Sequence, residues 1–209
     1  YVAHQINPLS ANYTNLSNTT PAFEEILERN PFLRRSFEQQ FISGLTYSFT
    51  YNGMVDSKKT HQFYLNTTLD VAGNSINLFG KETTPNAPKT FLGLEYAQYA
   101  KADIDIYYHF NFTKNRVLAT RFFAGYGLAY GNSDVIPFIK QYYSGGPYSV
   151  RAFRIRSFGP GTYNEDVNNN GTFFDQTGNI RLEANIEYRF PLFSFVKGAV
   201  FADAGNIWN

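Results

Sequence analysis

The sequence predicts an all-β fold, an antiparallel transmembrane β-barrel, and three observations carry that expectation. Six segments alternate apolar and polar residues with period two, the mark of strands that have one face in an apolar medium. The connections alternate between short (52–60, 113–115, 191–194) and long (8–39, 73–90, 131–178), as they do in membrane barrels, which put short turns on the periplasmic side and long loops outside. Aromatic residues make up 18% of the chain, with 21 Phe and 16 Tyr, a content that suits interfacial girdles and a lipid-facing surface. A soluble β-sandwich would give the same alternation, but it predicts neither the strict alternation of connection lengths nor such long strands. The mean hydropathy is −0.34 and no apolar run approaches the roughly 20 residues of a membrane helix. A barrel stays open, because alternation averages out.

Taken in order, residues 1–7 read as the tail of a strand, and Asn7-Pro8 opens a loop rich in Asn, Ser and Thr. Within it Pro21 suits the first position of a short helix, Glu24 and Glu25 fall in its first turn, Phe23, Ile26 and Leu27 share a face, and Asn30-Pro31 ends it. The six Asn-x-Ser/Thr triplets, among them Asn66 and Asn111, are read as chance. From Gln40 a strand sets Phe41, Leu45, Tyr47, Phe49 and Tyr51 against Gly44, Thr46, Ser48 and Thr50. The next, 61–72, sets Phe63, Leu65, Leu69 and Val71 against Gln62, Asn66, Thr68 and Asp70. After a polar loop to about residue 90 comes a long strand, clearest where Ile104, Ile106, Tyr108, Phe110 and Phe112 oppose Asp103, Asp105, Tyr107, His109 and Asn111. Residues 116–130 then set Leu118, Phe122, Tyr126, Leu128 and Tyr130 against Arg121, Gly125 and Gly127, and Phe122→Arg is expected to lower stability far more than Gly125→Ser on the lumen side. Ile180, Leu182, Ile186, Tyr188 and Phe190 alternate with Arg181, Glu183, Asn185, Glu187 and Arg189. The last strand opposes Val196, Val200, Ala202 and Ala204 to Lys197, Phe201 and Asp203.

The long connection 131–178 contains GGPYSVRAFRIRSFGPG, from Gly145 to Gly161. A flexible linker would be uniformly polar. Here Val150, Phe153, Ile155 and Phe158 are interleaved with Arg151, Arg154 and Arg156, which describes a loop that packs against something able to receive a guanidinium, that is, against carboxylates. GGPYSVRAF and FGPG, followed by GNIRLEANIEYRFPL and VFADAGNIW, resemble the C-terminal half of the barrel in BamA/TamA-type outer-membrane assembly factors. The likeness is specific from about Tyr99 to Asn209. In that family the loop reads V-R-G-F, and Ala152 stands where the family has Gly.

The resemblance implies a sixteen-stranded barrel, of which residues 1–209 are a piece of six to seven strands. It implies that this barrel lies in a bacterial-type outer membrane. It implies an assembly or insertion factor that works without cofactor, uses a seam between its first and last strands as a gate, and deals with outer-membrane lipids, unfolded outer-membrane protein clients and periplasmic or lipoprotein accessory subunits. A two-partner-type secretion translocator of the same family and a passive porin-like channel are the alternatives. By motif, Arg151 is expected to meet Glu187 and Asp203, with Glu183 a weaker candidate, Phe153 in an apolar niche of the lumen, and Gly145 and Gly146 shaping the loop. In this picture the long connections face the cell exterior.

Other chemistry finds little footing. A net charge of +1, with arginines scattered among acids, gives no nucleic-acid footprint, and without cysteine there are neither disulfides nor thiolate metal sites. Asp166, Asn168 and Asn170, followed by Gly171, resemble the first half of a calcium loop, but the twelfth position is Thr177 in place of a bidentate Glu, so a solvated loop is the expectation and no metal is assigned. His109 with Asp103 and Asp105 suggests an acid–base group, yet same-face neighbours about 7 Å apart on one strand point in parallel and converge poorly. No enzyme is expected.

Overall fold

The computed structural model describes residues 1–14, 18–29, 40–56, 58–82, 87–162, 175–193 and 195–209. Strand β1 spans Val2–Thr14, and helix α1, Pro21–Arg29, follows in the first long connection. Strands β2 (Gln40–Asn52) and β3 (His61–Ala72) form a hairpin. The second long connection holds a single helical turn, α2 (Asn74–Asn77), and a two-residue hairpin of β4 (Thr90–Phe91) and β5 (Leu94–Glu95). Strands β6 (Tyr99–Thr113) and β7 (Arg116–Ala129) pair next, and β8 (Ile180–Pro191) and β9 (Lys197–Trp208) close the described order.

The seven long strands make one antiparallel sheet in the order β1-β2-β3-β6-β7-β8-β9. Because each strand pairs with the next in the chain, the three short turns gather at one end of the sheet and the three long connections at the other. The sheet is open, with β1 and β9 as its outer strands. Its two faces invert the habit of soluble proteins. Leu69, Phe122, Leu182 and Ile186 are 43–47% exposed on one face, while on the other Gln62, Asp70 and Glu183 are 2–8% exposed. An apolar face left open and a polar face covered is what a barrel wall in lipid requires.

Two boundaries differ from the sequence expectation. The first strand continues to Thr14 and does not give way to a loop at Asn7. Asn7 pairs with Thr46 and Ser10 with Gly44, so β1 spends one residue more than β2 in between. That bulge flips the alternation, putting Val2, His4 and Ile6 on the same face as Tyr13, and it accommodates Pro8, which has no N–H to give. At the second boundary the strand expected from about residue 90 begins only at Tyr99. Leu92 (φ 55°) and Gly93 (φ 81°) turn the chain into the small β4–β5 hairpin first.

The buried apolar cluster sits at the long-connection end of the covered face. Ile42 of β2, Ala72 of β3 and Tyr99 of β6 pack there with Ala97 and Ile136 from the connections. Connection residues thus supply part of the core, and the third long connection lies down over the inner face of β6 to β9.

Candidate functional site

Two glycines let that connection approach. A Cβ on Gly127 of β7 would lie 2.5 Å from Ile136 Cδ1, and one on Gly125 would lie 2.7 Å from the Tyr142 ring. Gly125 is therefore a notch filled by an aromatic from the loop, and Gly125→Ser, expected to be the milder change beside Phe122→Arg, would put its side chain where the space is already taken. Tyr142 is tied to Gly178 by two backbone hydrogen bonds of 2.9 Å, and its hydroxyl reaches Asp103 Oδ2 at 3.3 Å. Burial, and then the Asp103 charge, hold this phenol well above the usual tyrosine range, so it remains a donor. Lys101 Nζ lies 4.1 Å from the centre of the same ring, and Lys140 reaches Asp70 at 3.0 Å.

The chain then doubles back on itself. Gly146 N–H donates to the Phe153 carbonyl and Arg156 N–H to that of Ser144, both at 2.9 Å. Gly145 and Gly146 make this possible with φ of 97° and 95°, and a Cβ on Gly145 would stand 2.2 Å from the Arg154 carbonyl oxygen. Ala152 carries no positive φ, so its place in the motif demands no glycine.

At the tip Arg151 turns toward the sheet. Its Nε and Nη2 donate to the two oxygens of Asp203, both at 2.8 Å, its backbone N–H donates to Oδ2 at 3.0 Å, and Nη1 donates to Glu187 Oε2. The guanidinium also lies 3.6 Å from the centre of the Phe201 ring. The structure thus brings Arg151, Glu187 and Asp203 together. The hydrogen bonds with Asp203 raise the Arg151 pKa further above its ordinary value, so this cation is permanent. Asn185 completes the arrangement, donating to Asp203 at 2.9 Å and to the Ser149 carbonyl at 2.7 Å.

Glu183 belongs to a different group. Its fully buried side chain accepts from Arg181 at 2.7 Å, from Arg121 at 3.3 Å and from the hydroxyls of Ser144 and Ser149, so it holds the base of the loop, not Arg151. Arg121 also pairs with Asp105 through two bonds of 2.8 and 2.9 Å and donates to the Tyr148 carbonyl at 2.9 Å. Phe153 departs from the expectation. It is 50% exposed and packs on Phe158, ring centres 4.7 Å apart, while Val150, 4% exposed, takes the apolar position against Gly205. A turn closes here, Phe153 N–H donating to the Val150 carbonyl at 3.1 Å, and Val150 is the side chain it leaves covered.

The sequence did not single out Phe201, Ser144, Ser149 or the Arg121–Asp105 pair. For Arg121 a signal existed, since both partners lie on inward faces of adjacent strands. For the two serines there was none. Asp103 and Asp105 are each engaged separately, by Tyr142 and Arg121, and His109 lines a cavity of about 320 Å³ with Tyr107, Arg121, Tyr148, Arg151 and Glu187. Asp166, Asn168 and Asn170 lie outside the described residues, and among those described no cluster of His, Asp or Glu could hold a metal.

The Omp85 superfamily domain matches residues 10–209. The chain belongs to the Omp85 superfamily. Among Omp85 proteins it is 30% identical over 117 residues to the outer membrane protein assembly factor BamA of Neisseria meningitidis serogroup B, a match covering 54% of this chain and 14% of that protein. A solved structure, BamA from Haemophilus ducreyi lacking POTRA domains 1-3, aligns with 100% of this chain and 49% of its own length, at 17% identity and a TM-score of 0.38. The chain therefore spans only part of these Omp85 relatives. Its membrane is the outer membrane, and its open apolar face is the lipid face of an Omp85 barrel wall.

Proposed function

We propose that this Omp85 segment forms part of the barrel of a protein that inserts or folds other outer-membrane proteins. The observation that carries the reading is the 30% identity over 117 residues to an outer-membrane protein assembly factor. The loop geometry supports it: a permanent cation at the tip of the third long connection bridges two inward acids on β8 and β9, which would otherwise repel each other, while Arg189 supplies Glu187 with a second positive partner. A loop so tied keeps this part of the wall in one shape while client strands pair elsewhere.

The work is non-catalytic. Its free energy comes from clients that bury apolar surface in lipid and pair their own strand edges. In this reading the long connections face the cell exterior and the short turns the periplasm, where accessory lipoproteins and incoming clients are met.

The test is depletion of the full-length protein in its own host, followed by heat-modifiability gels of several unrelated outer-membrane barrels. They are expected to lose their folded forms together, and Arg151→Ala in the full-length protein should reproduce part of the loss. Retention of a single secreted protein with normal barrel assembly would establish a secretion translocator instead. A loss confined to solute permeability would establish a channel.

A further inference from the structure

The lipid face carries the same three-residue arrangement twice. His4 of β1 stands opposite Phe49 of β2, and its Nδ1 lies 2.9 Å from the hydroxyl of Tyr47, two positions along the partner strand. His61 of β3 stands opposite Phe110 of β6, with Nδ1 2.7 Å from the hydroxyl of Tyr108. The rings pack alike: His4 lies 5.2 Å from Phe49 and 6.2 Å from Tyr47, and His61 lies 5.1 Å from Phe110 and 6.1 Å from Tyr108. Both triplets belong to the short-turn end, His4 being the third residue of β1 and His61 the first of β3. Further along these and the neighbouring strands the outward residues turn aliphatic, with Leu65, Leu69 and Ile106.

Each imidazole therefore has one nitrogen fixed and one free. Neither Nε2 has a hydrogen-bond partner among the described residues. When the tyrosine hydroxyl donates to Nδ1, the neutral ring carries its proton on Nε2. An unpaired N–H is disfavoured in hydrocarbon, and aromatic residues mark the level at which hydrocarbon gives way to headgroups. At that level the abundant acceptors are phosphate oxygens.

We propose that His4 and His61 are two copies of a lipid-headgroup site, each donating Nε2–H to a phospholipid phosphate oxygen in the leaflet on the short-turn side. The tyrosine hydroxyl orients the ring and the phenylalanine packs against it. Two such contacts on β1 and β3 fix the depth of this part of the wall in the membrane.

Solid-state NMR of the full-length protein, labelled at histidine nitrogen and reconstituted in phosphatidylethanolamine–phosphatidylglycerol bilayers, tests this directly. A nitrogen–phosphorus dipolar contact is expected at Nε2 of His4 and of His61, and none at His109, which faces inward. His4→Phe and His61→Phe should each abolish one contact. Tyr47→Phe and Tyr108→Phe, which leave the histidines in place, should weaken them. Absence of phosphorus contact in bilayers overturns the proposal, whatever the variants do. A contact in maltoside micelles with added inorganic phosphate overturns the lipid assignment in favour of a free-anion site.

Discussion

Arg151→Ala removes the charge that holds the third long connection to β8 and β9. The Asp203 carboxylate, on a side chain only 4% exposed, is then stranded between strands, although it keeps the Arg151 backbone N–H at 3.0 Å and Asn185 at 2.9 Å. Breaking a buried pair costs about 3–5 kcal/mol, and those two remaining donors place this case near ~3 kcal/mol. Loss of the guanidinium packed 3.6 Å from the Phe201 ring centre adds about 1 kcal/mol. The sum, about 4 kcal/mol, falls on loop docking and corresponds to roughly a thousandfold shift toward the undocked state. Hydrogen exchange in the full-length protein reads it at Gly146 and Arg156, whose amides donate within the doubled-back segment. Exchange there should accelerate by about three orders of magnitude, and Arg151→Lys, lacking the two-pronged contact, should recover only part. Adding Asp203→Asn to Arg151→Ala should change little more, because the partner is already gone. Acceleration below about tenfold, or fully additive effects, would refute the reasoning.

The remaining predictions concern other parts of the wall. Gly125→Val places carbon where the Tyr142 ring lies, 2.7 Å away, and should lower stability by about 1–3 kcal/mol and open the loop to protease. Phe122→Arg on the lipid face should cost about 2–4 kcal/mol in urea unfolding from vesicles. Ser48→Asn on the inner face should stay within about 0.5 kcal/mol, and equal effects of these two would mean that the faces are reversed. Glu183→Gln weakens the contacts to Arg121 and Arg181 and should loosen the segment around Ser144 and Ser149 while leaving the Arg151–Asp203 pair in place, which unchanged hydrogen exchange at the Arg151 amide, the donor to Asp203, can check. Cysteine at Asp134 should react with an impermeant reagent on intact cells and cysteine at Lys114 only after permeabilisation, and the reverse result would invert the orientation.

Most strands were legible because lipid on one side and a polar interior on the other impose strict alternation, as Leu182 to Phe190 against Arg181 to Arg189 illustrates. The first strand was misjudged at Asn7-Pro8, where a bulge reverses the alternation and a proline mimics a loop. The start of β6 was placed too early, since Leu92-Gly93 makes a local turn that period-two reading passes over. Arg151, Glu187 and Asp203 could be nominated from motif and inward position. Phe201 and the serines around Glu183 could not, because their roles depend on register between β8 and β9 and on a loop path that no local pattern encodes. Phe153 was misplaced for the same reason: the turn from Val150 to Phe153 decides which side chain is covered.

The cross-ties along the inner face are unevenly distributed. From β6 to β9 charged bonds link neighbouring strands and the loop above them, through Arg121 to Asp105 and Glu183, and through Arg151 to Glu187 and Asp203. Between β2 and β3 the side chains of the inner face meet through uncharged pairs, Ser48 to Thr68 at 3.5 Å and Asn66 to Thr50 at 2.8 Å, and the one carboxylate there, Asp70, takes Thr46 at 3.3 Å from β2 and its cation, Lys140, from the loop at 3.0 Å. The wall is thus a stiff panel joined to a compliant one. Lateral stress on the barrel is expected to fall first on the strands without charged strand-to-strand ties, where the bulge in β1 also interrupts the ladder.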